Sequence, residues 1–561
     1  MSRKTSFLLA VLLGVFIFIT RFAYLSTIPD GLSIDEVDIG YNAYSILKTG
    51  KDEWGIKLPL LFKSIGDYKP PVLVYSVVPF LKLFGLTELA VRLPVALFSS
   101  ATIIALFFLC RQYIFSSKYK EASWIVAFIL SLLPWHVFYS RSSFEAIIGV
   151  FFVVINFYFW FSFLAKPTLL KIWFIFMDTI LGAASYHSTK MFLPLIDLFF
   201  LITNIPLLKQ FIGQTRTSKK TLLICSLIIQ ILILVWFTSI FVFGSGATRA
   251  KMTFVGLDYD FLKVLMSRVF VTPLFSINSI FLLINFWATR LFEYLSPQFY
   301  LFSGLNLVRS GEIGQGVLYL VDYFPLLCGL FVIARPFRAK YFRSKQVAFA
   351  LIAWGLLGLL PATLANNSQH SLRTLIDAPL VAIIISLGLL IIFEPIKKHR
   401  VIFRTALLFI VAGYIYSTAW FADFYLLHYP NELSEFRQYG WKQVALFAIS
   451  QKDNYDYIHV DPRFGTQGPY TYGVPQLYFL FYSHFDPALY NTDPLRQENK
   501  SNFENFIFEE IDWSKYSHPS HDLYVGSPWS FPVNEINSTQ LKFQVLFKNK
   551  QSGLMAVTDE K

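Results

Sequence analysis

Hydrophobic residues along this chain fall into long runs that are separated by short polar segments. The runs long enough to cross about 30 Å of hydrocarbon lie near residues 6–24, 89–114, 122–140, 145–164, 171–186, 190–206, 221–243, 317–334, 347–365, 373–393 and 402–422. The pattern predicts a mainly α, polytopic membrane protein with about eleven transmembrane helices. Segment 72–86 is shorter and contains Pro79, so it either leads into the second run or re-enters the membrane. Residues 261–302 are amphipathic and aromatic, which predicts helices at the membrane interface.

Basic residues mark one side of the membrane. Lys and Arg accumulate in alternate short connections and at the N-terminus, which places those segments inside. The remaining connections then face out, and the largest of them are 25–88 and 244–316. We therefore expect a membrane domain over 1–422 and an extracytoplasmic region over 423–561.

The C-terminal region, 423–561, has a different pattern. It carries strand-like runs at Tyr457–Val460, Leu523–Val525 and Phe543–Phe547, with turn-rich stretches such as Asp461–Pro475 between them. This alternation predicts a small external α/β domain.

Composition narrows the class of protein further. Only 15% of the 561 residues are charged, whereas soluble chains carry about a quarter. The net charge of +12 lies mostly in short inner connections, so we expect no nucleic-acid-binding face. Cys110, Cys225 and Cys328 fall in apolar runs, which favours neither a disulfide framework nor a zinc site. Residues 6–20 fit either an uncleaved first helix or a signal peptide cut near Ser26.

The strongest candidate chemistry lies in the first outer connection, where Asp35 and Glu36 follow Ser33. Ser33 and Glu36 have the spacing of a capping box, so a helix is expected to begin here with Glu36 as its capping acid. Capping leaves the Asp35 carboxylate available for a substrate hydroxyl or a cation, and the helix N-terminus keeps it ionised. Asp38 lies one turn further on and is expected to be a solvated surface acid.

The second candidate is the segment that closes this connection, Asp67, Tyr68 and Lys69, before two prolines. Two interpretations are open for Lys69. It is either a loop lysine in front of a proline stop, or a point charge that meets a lipid phosphate.

Further polar residues occupy the other outer connections. The set that could converge with the first connection on one external cleft is Arg141, Glu145, Tyr186, His187, Lys190, Arg249, Arg309, Glu312, His370 and Arg373. Arg141 and Glu145 are either a helical ion pair or, for Arg141, a phosphate ligand. His187 fits a structural hydrogen-bonding role better, whereas His370 with Arg373 has the character of an anion site. A divalent metal held by Asp35 and a histidine is an open alternative, although no ligand spacing supports it.

Several of these segments together resemble bacterial family 39 glycosyltransferases of the GT-C class. The resemblance rests on Asp35-Glu36, the KPP that closes the first connection, LTELAVRLPVAL, HVFYSRSSFEA, SYHSTKMFLPL, HSLRT and the segment around Arg309. That family is related to protein O-mannosyltransferases and to the aminoarabinose transferases that modify lipid A. The resemblance covers most of residues 6–425, and the C-terminal region does not resemble the β-trefoil of eukaryotic protein mannosyltransferases.

The resemblance implies transfer of a sugar, with inversion, from a polyprenyl-phosphate donor to a glycan, lipid or protein acceptor at the outer face of a bacterial plasma membrane. The partners it implies are that donor, membrane lipids and the acceptor. It implies that Asp35 is either the general base or a carboxylate that orients the acceptor, and that Lys69 faces the donor phosphate. The absence of a P-loop or a G-x-G-x-x-G motif agrees with a lipid-linked donor.

We group the remaining candidates by expected role. Glu36 joins Asp35 as a catalytic candidate, and the donor-phosphate candidates beside Lys69 are Arg141, Arg249, His370 and Arg373. The acceptor or sugar candidates are Asp67, Tyr68, Glu145, Tyr186, His187 and Lys190. The alternatives to an enzyme are a membrane transporter or lipid-linked sugar flippase, and an assembly protein that binds through its C-terminal region.

Overall fold

A computed structural model describes residues 1–214, 263, 277–305, 315–334, 340–365, 369–429, 437–465, 472–498, 501–513, 521–531, 542–548 and 553–558. Its helices, labelled in chain order, are α1 Arg3–Ile17, α2 Ile34–Thr49, α3 Pro71–Phe84, α4 Glu88–Leu109, α5 Ala122–Leu132, α6 Pro134–Tyr139, α7 Glu145–Ala165, α8 Leu169–Ala183, α9 His187–Thr203, α10 Ile205–Gln214, α11 Ile277–Leu295, α12 Leu320–Ile333, α13 Lys345–Thr363, α14 Ala378–Ile396, α15 Arg400–Asp423, α16 Trp441–Gln451, α17 Pro475–Tyr482, α18 Pro487–Tyr490 and α19 Pro494–Glu498. Its strands are β1 Phe62–Lys63, β2 Tyr68–Lys69, β3 Ile458–Val460, β4 Phe506–Phe508, β5 Leu523–Gly526, β6 Lys542–Lys548 and β7 Gly553–Thr558.

The predicted apolar runs form helices wherever the structure describes them, which confirms a mainly α membrane protein. In the described part of the chain, 6 helical segments are long and apolar enough to cross a membrane, or 7 if α9 and α10, bent by 74°, form one span. Helices α3, α5 and α12 are apolar but shorter. The predicted run 221–243 lies outside the described residues. Some of the predicted apolar runs therefore contain helices that are too short to cross a bilayer alone.

The segment left ambiguous by its proline, 72–86, is helix α3. Pro79 lies inside this helix, and the helix packs between α2 and α4. A proline is tolerated there because neighbouring helices take over contacts that a lone helix would lose. Helix α3 thereby joins the first outer connection to the membrane bundle.

The C-terminal region contains a five-stranded sheet in the order β4-β3-β5-β7-β6. Strand β3 pairs in parallel with β4 and β5, whereas β7 pairs antiparallel with β5 and β6. The three predicted strand-like runs coincide with β3, β5 and β6, so the expected α/β character is confirmed.

The C-terminal region packs directly on the first outer connection. A Cβ at Gly40 of α2 would lie 2.6 Å from the ring of Phe481 in α17, so the two helices approach as closely as a glycine permits. The Tyr478 hydroxyl donates to the Leu32 carbonyl at 3.1 Å, and Lys442 Nζ lies 2.6 Å from Glu88 Oε1. One hydrophobic core therefore runs from the membrane helices into the sheet.

Candidate functional site

Helix α2 begins with the predicted capping box. The Glu36 amide donates to Ser33 Oγ at 3.4 Å, and the Ser33 amide donates to Glu36 Oε2 at 2.9 Å. These bonds fix the first turn of the helix, where Asp35 lies. Asp35 and Glu36 are adjacent in sequence and point to different surroundings.

Glu36 is surrounded by donors. Its Oε1 accepts from Arg92 Nε at 2.9 Å and from the Ser143 amide at 3.2 Å, and its Oε2 accepts from Arg437 Nη2 at 2.9 Å. Burial alone would raise the pKa of Glu36, but Arg92 and Arg437 outweigh it, so the pKa lies below its usual value. Because both oxygens serve these bonds, we assign Glu36 to holding α2 rather than to catalysis, where the sequence had grouped it.

Asp35 and Lys69 form an ion pair at the cavity wall. Lys69 Nζ lies 2.6 Å from Asp35 Oδ1; the lysine side chain is 6% exposed and the aspartate side chain 57%. The antiparallel pairing of β1 with β2 brings Lys69 to this position. Burial would lower the pKa of Lys69, but Asp35 and then Glu145 raise it above the usual value, so the ammonium keeps its charge.

The cavity itself is a cleft that is open to solvent, and its empty space of about 440 Å³ includes solvent at the mouth. The predicted residues that line it are Asp35, Glu36, Lys69, Glu145 and Tyr186. The sequence singled out Ser33 only as a helix cap, and it did not single out the other lining residues, which are Ile39, Ser142, Ser143, Phe144 and Leu372. The cleft therefore brings together the first outer connection, the turn before α7 and the start of α9.

Arg141 lies next to this cleft but is used elsewhere. Its Nη2 donates to the carbonyls of Ala23 and Ile28 at 2.7 and 3.1 Å, and its Nη1 donates to Thr20 at 3.2 Å. The side chain is buried and braces the chain where it leaves the first helix. This geometry fits a structural arginine better than the phosphate ligand we expected.

The other outer candidates fall into two positions. His187 Nδ1 lies 3.2 Å from Lys190 Nζ at the start of α9. The turn from His370 to Arg373 adjoins that start, because Ser188 Oγ donates to the Arg373 carbonyl at 3.1 Å. Leu372, which belongs to this turn, lines the cleft.

Two further candidates, Asp67 and Tyr68, are not among the residues that line the cleft. Asp67 belongs to the β1–β2 turn, where its carbonyl accepts from the Ser64 amide at 3.0 Å. Tyr68 packs against a small cluster formed by Leu61, Ala183 and Ala184. Arg249, Arg309 and Glu312 lie outside the described residues.

Asp38 contradicts the sequence expectation. It is 2% exposed rather than solvated, and it accepts from Ser64 Oγ at 2.7 Å and from Asn42 Nδ2 at 3.0 Å. Burial raises the pKa of Asp38 to about 6. Helix α2 therefore has a polar buried face against the hairpin, which the spacing of its acids does not reveal.

The sequence also missed both arginines that hold Glu36. Arg92 lies in the LTELAVRLPVAL segment, where an arginine inside an apolar helix is a signal in itself. Arg437 is separated from Glu36 by 401 positions, and its own neighbourhood in the sequence carries no such signal. In the described part of the chain, no group of three or more His, Cys, Asp or Glu could hold a metal ion.

Solved structures with the same fold include two crystal structures of ArnT from Cupriavidus metallidurans. The apo form is 13% identical and the form bound to undecaprenyl phosphate is 12% identical; each comparison covers 99% of this chain and 98% of ArnT, with a TM-score of 0.51. An oligosaccharyltransferase from Archaeoglobus fulgidus tethered to an acceptor peptide is 13% identical over 86% of this chain and 63% of its own, with a TM-score of 0.46. No protein-family model and no curated protein matches the sequence. The likeness to ArnT shows that the chain has the GT-C fold.

Proposed function

We propose that this protein is a membrane glycosyltransferase that moves a sugar from a polyprenyl-phosphate donor to an acceptor at the extracytoplasmic face. The observation that carries the proposal is the pairing of an exposed carboxylate, Asp35, with a buried ammonium, Lys69, on one cleft wall. A fold shared with ArnT, which has been crystallised with undecaprenyl phosphate, supports the class of donor.

The pair supplies the two charges that a displacement at an anomeric carbon needs. The acceptor hydroxyl donates its proton to Asp35 as its oxygen bonds to the anomeric carbon. The bond from that carbon to the phosphate oxygen breaks on the opposite face, so the sugar inverts and polyprenyl phosphate leaves. Lys69 then stabilises the charge on the departing phosphate.

Exposure assigns the roles within the pair. A base must reach the acceptor, and the Asp35 side chain is more than half exposed, whereas Lys69 is almost fully buried. A buried ammonium is little screened by water, so its attraction for a phosphate is stronger than that of a surface lysine. General-base help of this kind typically contributes about 10²–10⁴-fold in rate.

Several of the remaining candidates line or adjoin the same cleft, at the starts of α7 and α9. Glu145 and Tyr186 lie on its wall, and His187 with Lys190 follows at the start of α9. We propose that these groups contact the sugar or the acceptor, and that His370 and Arg373, on the adjoining turn, assist the phosphate. Asp67, Tyr68 and Arg249 stay predictions, and we assign Arg141 and Glu36 to structural support.

Sidedness and membrane belong to the proposal as well. The basic inner connections support an N-terminus in the cytoplasm and a C-terminal region outside, in a bacterial plasma membrane. The polyprenyl tail would lie in the bilayer with its phosphate at the outer surface, beside the cleft.

The test is a transfer assay with purified protein in proteoliposomes. A panel of radiolabelled polyprenyl-phosphate hexoses and pentoses is supplied with envelope extract from cells that lack this protein. We expect label in the acceptor fraction with wild type and none with Asp35→Asn, while Asp30→Asn, an exposed acid of the same connection outside the cleft lining, remains active. Movement of label across the bilayer without transfer would instead identify a transporter or flippase.

A further inference from the structure

The C-terminal region contributes a buried arginine to the support of the cleft. Arg437 Nη2 donates to Glu36 Oε2 at 2.9 Å, and Arg437 Nη1 donates to Ser142 Oγ at 3.3 Å and to Tyr429 Oη at 3.2 Å. Its side chain is 3% exposed. One guanidinium therefore ties the C-terminal region to α2 and to the turn before α7, and Glu36 and Ser142 both line the cleft.

The charges around Glu36 show how firmly this contact is held. Arg92 and Arg437 both bond the one Glu36 carboxylate, and all three side chains are nearly inaccessible to water. Removing one partner of a buried charge pair leaves the other charge without compensation, which is strongly unfavourable. Arg92 comes from a membrane helix and Arg437 from the C-terminal region, so Glu36 is held from both sides.

Glu36 in turn fixes the residue that touches substrate. It is the capping acid of α2, and Asp35 lies between it and Ser33 in the same first turn. Asp35 is bonded to Lys69, but its side chain is largely exposed, so the backbone under it must be set by its neighbours. A displacement of about 1 Å in a reacting group can lower a rate by about a hundredfold.

We infer that Arg437 is a positioning residue for Asp35, and that the C-terminal region is part of the transfer machinery rather than a separate binding module. This inference rests on the proposed function, because it needs Asp35 to act as the base. Arg437 acts through Glu36 and the first turn of α2. The aromatic rings of Tyr429 and Tyr439, 5.8 and 5.4 Å from Arg437 Cζ, hold the guanidinium in place.

The decisive variant is Arg437→Gln in the full-length protein, with Lys442→Gln as the matched control. Lys442 also belongs to the C-terminal region and also pairs with an acid, but that acid, Glu88, does not line the cleft as Glu36 does. We expect Arg437→Gln to lower kcat by about tenfold to a hundredfold. KM for the polyprenyl-phosphate donor stays within about threefold, because Lys69 is not moved, and Lys442→Gln keeps the wild-type kcat.

A double-mutant cycle separates positioning from general support. If Arg437 acts through Glu36, then adding Arg437→Gln to Glu36→Gln lowers kcat by less than about threefold beyond the single change. Additive losses overturn the inference, as does a kcat for Arg437→Gln within twofold of wild type. If Arg437→Gln does not fold, kcat is measured for Arg437→Lys instead, because one ammonium cannot donate to all three acceptors of the guanidinium. A loss of about threefold to tenfold then supports the inference, and wild-type kcat overturns it.

Asp35→Asn distinguishes this inference from the proposed function. If Asp35→Asn turns over normally, the proposed function fails and Arg437 loses its target. If Asp35→Asn is inactive and Arg437→Gln is fully active, the enzyme assignment stands and only the role of Arg437 falls.

Discussion

Replacing Lys69 by methionine removes the buried ammonium while keeping a side chain of similar length. Lys69 Nζ lies 2.6 Å from Asp35 Oδ1 and is 6% exposed, so it is the described cation closest to the proposed base. At an effective dielectric constant of about 20, a charge pair 2.6 Å apart attracts by about 6 kcal/mol, and solvent around the exposed Asp35 side chain reduces this energy. Asp35 already engages the ammonium, so an incoming phosphate replaces one partner by another and gains only part of this energy.

The loss should therefore appear mainly in kcat. Charge grows on the departing phosphate as the bond breaks, and removing one donor to such a charge typically costs about 10²–10³ in kcat, or roughly 2.7–4 kcal/mol. Ground-state binding of the donor should weaken less, by about threefold to tenfold. Steady-state transfer measures kcat, and displacement of labelled polyprenyl phosphate measures the donor Kd.

Lys63→Met is the matched control for this change. Lys63 lies on strand β1, paired with the strand that carries Lys69, but its Nζ stacks 4.1 Å from the Trp54 ring and it does not line the cleft. We expect wild-type kcat from it. A Lys69→Met protein whose kcat stays within threefold of wild type would refute the assigned role of Lys69.

Three further predictions concern the free energy of unfolding of the detergent-solubilised protein. Burial raises the pKa of Glu53 to about 8, so the folded state keeps a proton that the unfolded state loses near its usual pKa. Stability should then fall by roughly 3–5 kcal/mol as pH rises from about 4.5 to 8, because each pKa unit is worth about 1.4 kcal/mol. Glu53→Gln should flatten this fall, and parallel curves for the two proteins would contradict it. Asp197 accepts from Trp160, Asn156 and Thr179 in good geometry, whereas Asp178 has only a weaker contact with Asn156 among the described residues. We expect Asp197→Asn to cost about 1–3 kcal/mol and Asp178→Asn less, and the reverse order would be contrary to this account. Gly40→Ala should cost about 1–3 kcal/mol, because its Cβ would lie 2.6 Å from the Phe481 ring; an unchanged Tm would show that the helices separate freely.

Local patterns predicted the beginning of the site well. The capping box of Ser33 and Glu36 depends only on two residues three positions apart, so it can be predicted from one helical turn of sequence. The apolar runs likewise became helices, because a backbone in hydrocarbon must satisfy its own hydrogen bonds. The resemblance to a GT-C family led to the fold that the likeness to ArnT shows.

Contacts between distant segments were the part that the sequence did not reveal. Asp35 and Lys69 were both candidates, but they are 34 positions apart in the sequence. Their pairing depends on a contact between the hairpin and helix α2. Asp38 was misassigned because the hairpin that buries it is a tertiary feature. Glu36 was grouped with the catalytic residues because its partners, Arg92 and Arg437, come from a membrane helix and from the C-terminal region.

Arg141 is a residue whose local sequence predicted a functional role, whereas its contacts in the fold are structural. An arginine beside an acid at an outer helix end has the chemistry of a phosphate ligand, and nothing in its neighbourhood predicts otherwise. Its guanidinium instead donates to backbone carbonyls about 110–120 positions away, at the end of the first helix. Side-chain chemistry predicted which residues could bind or react, and the fold decided which of them face the cleft.

The most direct measurement is a single turnover of a labelled polyprenyl-phosphate sugar by purified wild type and by Asp35→Asn, with donor binding recorded in the same samples. The account predicts that wild type releases polyprenyl phosphate in step with labelled acceptor, whereas Asp35→Asn binds the donor at least as tightly and leaves it intact. Normal turnover by Asp35→Asn would contradict the account at its centre.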